Sequence, residues 1–153
     1  MTWTGLVHNM SNPSIHAVKK TRNEYRAVDG NNHRWFIEGT LQSNGNLAFQ
    51  VVREDSSDRS SIRGHEFFDA MMEHFGDQVK VIEGHWTDTP GFDTNLKIFN
   101  EKTLAGDSKQ EAAFATKTGT WAKKRGYKKL KRVDTIPDNF PGGYEQVLVE
   151  FEK

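Results

Sequence analysis

No cysteine occurs in the 153-residue chain. Disulfides, thiolate metal sites and a cysteine nucleophile are excluded, and little follows about compartment. No apolar run approaches the roughly 20 residues that span a bilayer. The opening MTWTGLVHNMSNPSIHAVKK also lacks the charged start and apolar stretch of a signal peptide. The expectation is a soluble, untargeted chain with no membrane partner. Net charge is missing as well, since 21 basic and 21 acidic residues cancel. Hydrophobic content is low at 35%, but aromatics reach 11%, so a few large side chains must do much of the burying.

The cancelled charge is unevenly spread. Lys117, Lys123, Lys124, Arg125, Lys128, Lys129, Lys131 and Arg132 lie in one run without an acid. Such a run in a neutral chain is a candidate anion site. Trp121 and Tyr127 interleave with it, which suits phosphate contacts plus base stacking. A solvated helix face followed by a lysine-guarded edge strand fits it equally.

Ser60 to Trp86 is the organising stretch. Phe67, Phe68, Met71, Met72 and Phe75 recur at helical spacing, and Gly76 stands where a left-handed C-cap belongs. Val79, Val81 and Ile82 then predict a strand closed by Gly84-His85-Trp86. Upstream, HRWFIEGTLQ and LAFQVVRE flank Asn44-Gly45, predicting a hairpin with a type I′ turn. Glu24 to Val28 reads as a short strand before the turn at 29–32. Residues 1–23 read as irregular, with Trp3, Leu6, Val7 and Ile15 tucked against the body, and Glu54 to Ser61 as a polar loop.

Downstream, Asp93 or Thr94 caps a helix carrying Leu96, Phe99 and Leu104 and ended by Gly106. Ser108 and Glu111 have capping-box spacing. A third helical piece is expected from about Thr120 to Arg125, then a strand over Tyr127 to Val133. Residues 136–143 read as a loop and Tyr144 to Phe151 as a last strand with an interrupted alternation. The order implies one α+β domain over 24–153, with a mixed, mostly antiparallel sheet, a hairpin near its start and covering helices.

Several residues could carry chemistry. Arg63-Gly64 at the helix start could present free N–H groups to a phosphate, or Ser60 or Ser61 could simply cap the helix. His65, His74 and His85 lie near Glu66, Glu73 and Glu83, a supply of bases with orienting carboxylates. No H-E-x-x-H occurs, so no metal site is expected from spacing, and no G-x-S-x-G elbow is present. His85, at the end of a buried strand, is the leading candidate; the bland alternative packs it beside Trp86.

Two resemblances follow from these residues. The order of hairpin, Arg63-Gly64 at a helix start, strand, helices, Gly126-Tyr127 and closing strands resembles the later part of GNAT-type acyl-CoA transferases. That resemblance implies acyl-CoA as a cofactor, held at Arg63 and Gly64, with Tyr127 as acid and Glu83 or His85 as base. The family pattern Arg/Gln-x-x-Gly-x-Gly/Ala is met only at Gly64, because Ser61 and Glu66 occupy its ends. The second is in wording. F-x-x-M-M-x-H-F-G, I-x-G-x-W, N-L-x-x-F-N and T-x-T-G-x-x-A-x-x-x-G-aromatic resemble C-terminal modules of bacterial secreted polymorphic toxins. It implies a larger secreted carrier, a cognate immunity protein and delivery into a target cytoplasm, but no particular reaction.

Three functions are therefore expected. The first is a toxin-like transferase using an acyl-CoA-like or nucleotide cofactor, its phosphates held by Arg63, Gly64, Lys123, Lys124 and Arg125. The second is a nucleic-acid-directed, nuclease-like effector binding through residues 117–132. The third is a non-catalytic interaction module.

Overall fold

The helix expected at the centre forms because its apolar residues fall on one face. A computed structural model describes residues 12–53, 60–90, 93–138 and 143–153. In it, helix α1 (Gly64–Phe75) buries Phe67, Phe68, Met71, Met72 and Phe75. Gly76 ends it with φ of 59°. Strands β1 (Ile15–Lys20), β2 (Glu24–Asp29), β3 (Asn32–Leu41) and β4 (Asn46–Arg53) precede it. After it come β5 (Val81–Thr87), α2 (Thr94–Leu104), α3 (Lys109–Ala115), α4 (Lys117–Lys124), β6 (Lys129–Pro137) and β7 (Tyr144–Glu152). The strands are hydrogen-bonded in the order β1-β2-β3-β4-β5-β7-β6. β4 and β5 pair parallel, as an intervening helix permits, whereas the pairs β1–β2, β2–β3, β5–β7 and β6–β7 are antiparallel. The class is α+β, with a mostly antiparallel sheet, as the element order implies.

The chain divides into two compact units, residues 1–40 with 50–76, and residues 41–49 with 77–153. In the first, α1 sets Phe67 edge-on to Trp35 at 5.2 Å and Phe75 edge-on to Tyr25 at 6.5 Å. The Trp35 indole N–H donates to the Ile62 carbonyl at 2.8 Å, satisfying a buried polar tip. Val28, Phe36 and Val52 form a separate buried apolar cluster. In the second, α2 and α3 place Phe99 against Trp86 (6.0 Å) and Phe114 against Phe151 (5.1 Å).

Several local expectations are corrected. Within the stretch read as irregular, Ile15–Lys20 is a strand paired with β2, with a bulge at Val18. Its side chains are almost all exposed, so no amphipathic pattern announces it. The contacts foreseen for Trp3, Leu6 and Val7, and the loop over 54–59, lie outside the described residues. Helix α4 starts at Lys117 rather than Thr120, because Thr116 caps it by accepting from Gly119 N. β6 runs on to Pro137, two residues into the expected loop, where an edge strand tolerates a missing N–H. The interrupted alternation after Tyr144 is a bulge: Tyr144 faces Pro137 while Gln146 faces Ile136, leaving Glu145 extra.

The hairpin turn is also of a different type. No described non-glycine residue has a positive φ, so Asn44 is not left-handed and the turn is not type I′. Gly45 N donates to Gln42 O at 3.0 Å and Gln42 N to Asn46 O at 2.8 Å. These bonds define a three-residue loop ending in a left-handed glycine, with φ of 89° at Gly45. A Cβ there would also lie 2.5 Å from Lys80 Cγ and 2.9 Å from its Cβ. Gly45→Ala is therefore expected to cost about 1–3 kcal/mol, from backbone strain and crowding together. Denaturant unfolding measures it, and an unchanged midpoint would reject this turn geometry.

Candidate functional site

In the second unit, strand alternation sorts β5, β7 and β6 into two faces. Ile82, Gly84 and Trp86 are buried, as are Val147, Val149 and Phe151. The opposite face carries Glu83 and His85 on β5, Gln146, Leu148 and Glu150 on β7, and Arg132, Asp134 and Ile136 on β6. Register sets them in rungs: Glu83 beside Glu150 beside Arg132, then His85 beside Leu148 beside Asp134. The next rung holds Thr87, Gln146 and Ile136. His85 and Asp134 are exposed.

Each polar group on this face is tied to a neighbour. The His85 Nε2–H donates to Gln146 Oε1 at 3.0 Å in the tautomer protonated there, which leaves Nδ1 for chemistry. Asn46 Nδ2 donates to Glu83 Oε1 at 2.7 Å, fixing that carboxylate. Arg132 donates through Nε to Asp134 Oδ2, and its Nη1 lies 3.8 Å from Glu150 Oε1. Glu150 is only 8% exposed, so the guanidinium supplies charge compensation where water is scarce. His85, Asp134, Ile136, Gln146 and Leu148 line a hollow of about 230 Å³. The face thus offers a proton carrier, a fixed carboxylate and a cation on neighbouring strands. His85 does not pack beside Trp86, since successive residues of a strand take opposite faces.

The other candidate residues are placed elsewhere. Tyr127 is 2% exposed, and its hydroxyl donates to the Val79 carbonyl at 2.7 Å. Burial pushes this phenol above its ordinary pKa, and the charge of Asp77 adds to the shift while Arg125 opposes it. A proton delivered from Tyr127 would have to leave a buried hydrogen bond. At the start of α1, Arg63 is the N-cap, so neither Ser60 nor Ser61 is. Ser60 instead donates to Asp29 and accepts from Ile62 N at 3.0 Å. Glu66 Oε1 accepts from Arg63 N at 2.9 Å, and its Oε2 accepts from Asn12 Nδ2 at 3.3 Å. A carboxylate already stands at the helix end beside Gly64, and a phosphate there would have to displace it.

The basic run is split by the fold. Lys117, Lys123 and Lys124 are exposed on α4, with the Lys123 ammonium 5.9 Å above the Phe114 ring. Arg125 is the half-buried C-cap of that helix. Lys128 is exposed just before β6, and Lys129, Lys131 and Arg132 are exposed along the start of that strand, the edge strand beside His85's neighbour β7. Lys129 shares the face of Arg132, while Lys131 is the extra residue of a bulge. His65 is exposed, and His74 donates to the Thr21 carbonyl at 2.6 Å. Among the described residues no three histidine or acidic side chains come together as a metal site.

Gln146, Asp134, Arg132 and Glu150 become site residues only through pairing. The sequence signal that could have found Gln146 and Glu150 is the period-2 alternation of EQVLVEFE, and that of RVDTI could have set Arg132, Asp134 and Ile136 on one face. No described helix is long and apolar enough to cross a membrane. No protein-family model, curated protein or solved structure matches the chain.

Proposed function

We propose that the chain is an RNA-directed effector that cleaves phosphodiester bonds on the exposed face of β5, β7 and β6. The observation that carries this is a histidine, a carboxylate and a guanidinium on one open face, with Lys129 of β6 at its border. RNA brings its own nucleophile, the 2′-hydroxyl. Glu83 takes its proton, O2′ bonds to phosphorus and the P–O5′ bond breaks. The imidazolium of His85 gives the leaving O5′ a proton through Nδ1, leaving a 2′,3′-cyclic phosphate and a 5′-hydroxyl. Glu83 and His85 stand two residues apart, roughly 7 Å along the strand, which leaves room for a phosphate between acid and base. Arg132 offsets the charge gathered on that phosphate. Lys128 and Lys129 hold flanking phosphates. The resemblance to secreted toxin modules supports a setting in which a larger carrier delivers the chain and an immunity protein restrains it.

The test is binding and cleavage of an unstructured RNA by the purified chain. Affinity should fall linearly with log salt, the slope shrinking by about 0.7 for each of Lys128 and Lys129 changed to alanine. Cleaved ends should carry cyclic phosphate, and induced cytoplasmic expression should arrest growth in the wild type but not in a folded His85→Ala chain. Salt-independent binding, or acyl-CoA binding without RNA binding, would overturn the proposal.

A further inference from the structure

The hollow beside His85 contains groups that bond cleavage leaves unused. Its apolar parts are Leu148 and the side chain of Ile136, which is 51% exposed although large and aliphatic. Its polar parts are the Gln146 amide and the Asp134 carboxylate. An exposed aliphatic surface with polar groups beside it suits a flat ring that is apolar on its faces and polar at its edge. At about 230 Å³ the hollow falls below the roughly 300–1,000 Å³ of sites for drug-sized ligands. It has room for one small ring system.

We propose that this hollow takes the nucleobase next to the cleaved bond and that Asp134 makes it prefer guanine, an inference that rests on the reading of this face as RNA-binding. The preference follows from donor and acceptor chemistry. An ionised carboxylate only accepts hydrogen bonds, through two oxygens side by side. Guanine is the one common RNA base whose Watson–Crick edge presents two adjacent donors, N1–H and N2–H, that can meet both oxygens. Adenine and cytosine each set one amino group beside an acceptor, and uracil sets one N–H between two carbonyls. The amide oxygen of Gln146 is held by His85 at 3.0 Å, so its N–H₂ group remains to donate to guanine O6. Arg132 donates to Oδ2 of Asp134, which steadies the carboxylate and leaves Oδ1 and a second lone pair of Oδ2 for the base. Asp134 and Gln146 stand diagonally across β6 and β7, about 7–8 Å apart at the backbone, a span that the edge of a base can bridge.

The experiment is an NMR titration of the full chain with GMP, AMP, CMP and UMP, beside Asp134→Asn and Gln146→Leu. Amide shifts should centre on β5, β6 and β7, and GMP should bind about tenfold more tightly than the others, the scale of a hydrogen bond to a charged group. Asp134→Asn should erase that preference and Gln146→Leu should weaken it, with the rest of each spectrum unmoved. Equal affinity for all four nucleotides, no binding at millimolar concentration, or a GMP preference that survives Asp134→Asn would each reject the base site. The two readings fail separately. RNA cleavage indifferent to guanine would reject the base site and leave the chemistry standing, whereas guanine-selective binding without cleavage would do the reverse.

Discussion

A chain carrying Gly119→Ala should lose about 3 kcal/mol of stability, a large share of the 5–15 kcal/mol typical of a folded protein. A Cβ at this position would lie 2.1 Å from the Ala113 carbonyl oxygen, 2.8 Å from Phe114 Cα and 2.9 Å from Ala113 C. All three are backbone atoms, so no side chain can rotate away and α4 must shift from α3. The shift would break a relay. Thr116 Oγ1 accepts from Gly119 N at 3.0 Å and donates to the Ala113 carbonyl at 2.7 Å, with Thr116 fully buried. Buried groups parted in this way are not resolvated cheaply. Inside an unconstrained helix the same substitution would stabilise by about 1 kcal/mol, so even the sign is diagnostic. Urea unfolding with an unchanged m-value reads the loss. A gain in stability would mean that α3 and α4 do not meet in this way.

His85→Ala should lower RNA cleavage by about 10²–10⁴-fold, the usual contribution of a positioned acid or base. RNA affinity should hold within a few-fold, because the imidazole acts on a proton and the lysines carry the phosphate contacts. Glu83→Gln should act similarly, since it removes the base while keeping the side-chain shape that meets Asn46. The double variant should fall well short of the product of the two single losses, as happens when groups serve one step as a unit. The readout is single-turnover cleavage at saturating protein. Full activity in His85→Ala would move the chemistry off this face, and strictly multiplying effects would deny that the two groups share a step.

The parts of the fold visible in the sequence were those decided locally. The apolar stripe of α1, the positive φ of Gly106, at 103°, and the capping box of Ser108 and Glu111 each depend on residues within one or two turns. Where a distant segment contributes, local pattern does not decide the structure. Asn95 on α2 accepts from Lys117 N at 3.0 Å and Thr118 N at 3.3 Å, which helps start α4 three residues earlier than its own residues suggest. Asn100 exchanges hydrogen bonds with the Tyr144 backbone at 2.9 and 3.1 Å, an edge-like clamp supplied by a helix. Asn95, Asn100, Thr116, Gly119 and Tyr127 all belong to the motifs on which the toxin-module expectation rests, yet in this chain they join helices, cap them or fill the core. At the site, Glu83 and His85 were readable because they share a strand. Gln146, Arg132 and Asp134 were not, because register across β5, β7 and β6 is non-local and the β6–β7 pairing is broken by bulges.

The hairpin loop bears on how the protein ages. An Asn-Gly pair is the dipeptide most open to deamidation, in which the glycine nitrogen attacks the asparagine amide and leaves isoaspartate in the backbone. At Asn44-Gly45 that nitrogen is held by Gln42 O at 3.0 Å, while the Asn44 side-chain oxygen accepts from Asn46 N at 3.0 Å. Folding therefore engages the attacking nitrogen and fixes the side chain away from free rotation, and damage should accumulate mainly during excursions that open the loop. Isoaspartate formed on storage would then count those openings, and it should rise in step with the destabilisation caused by Gly119→Ala.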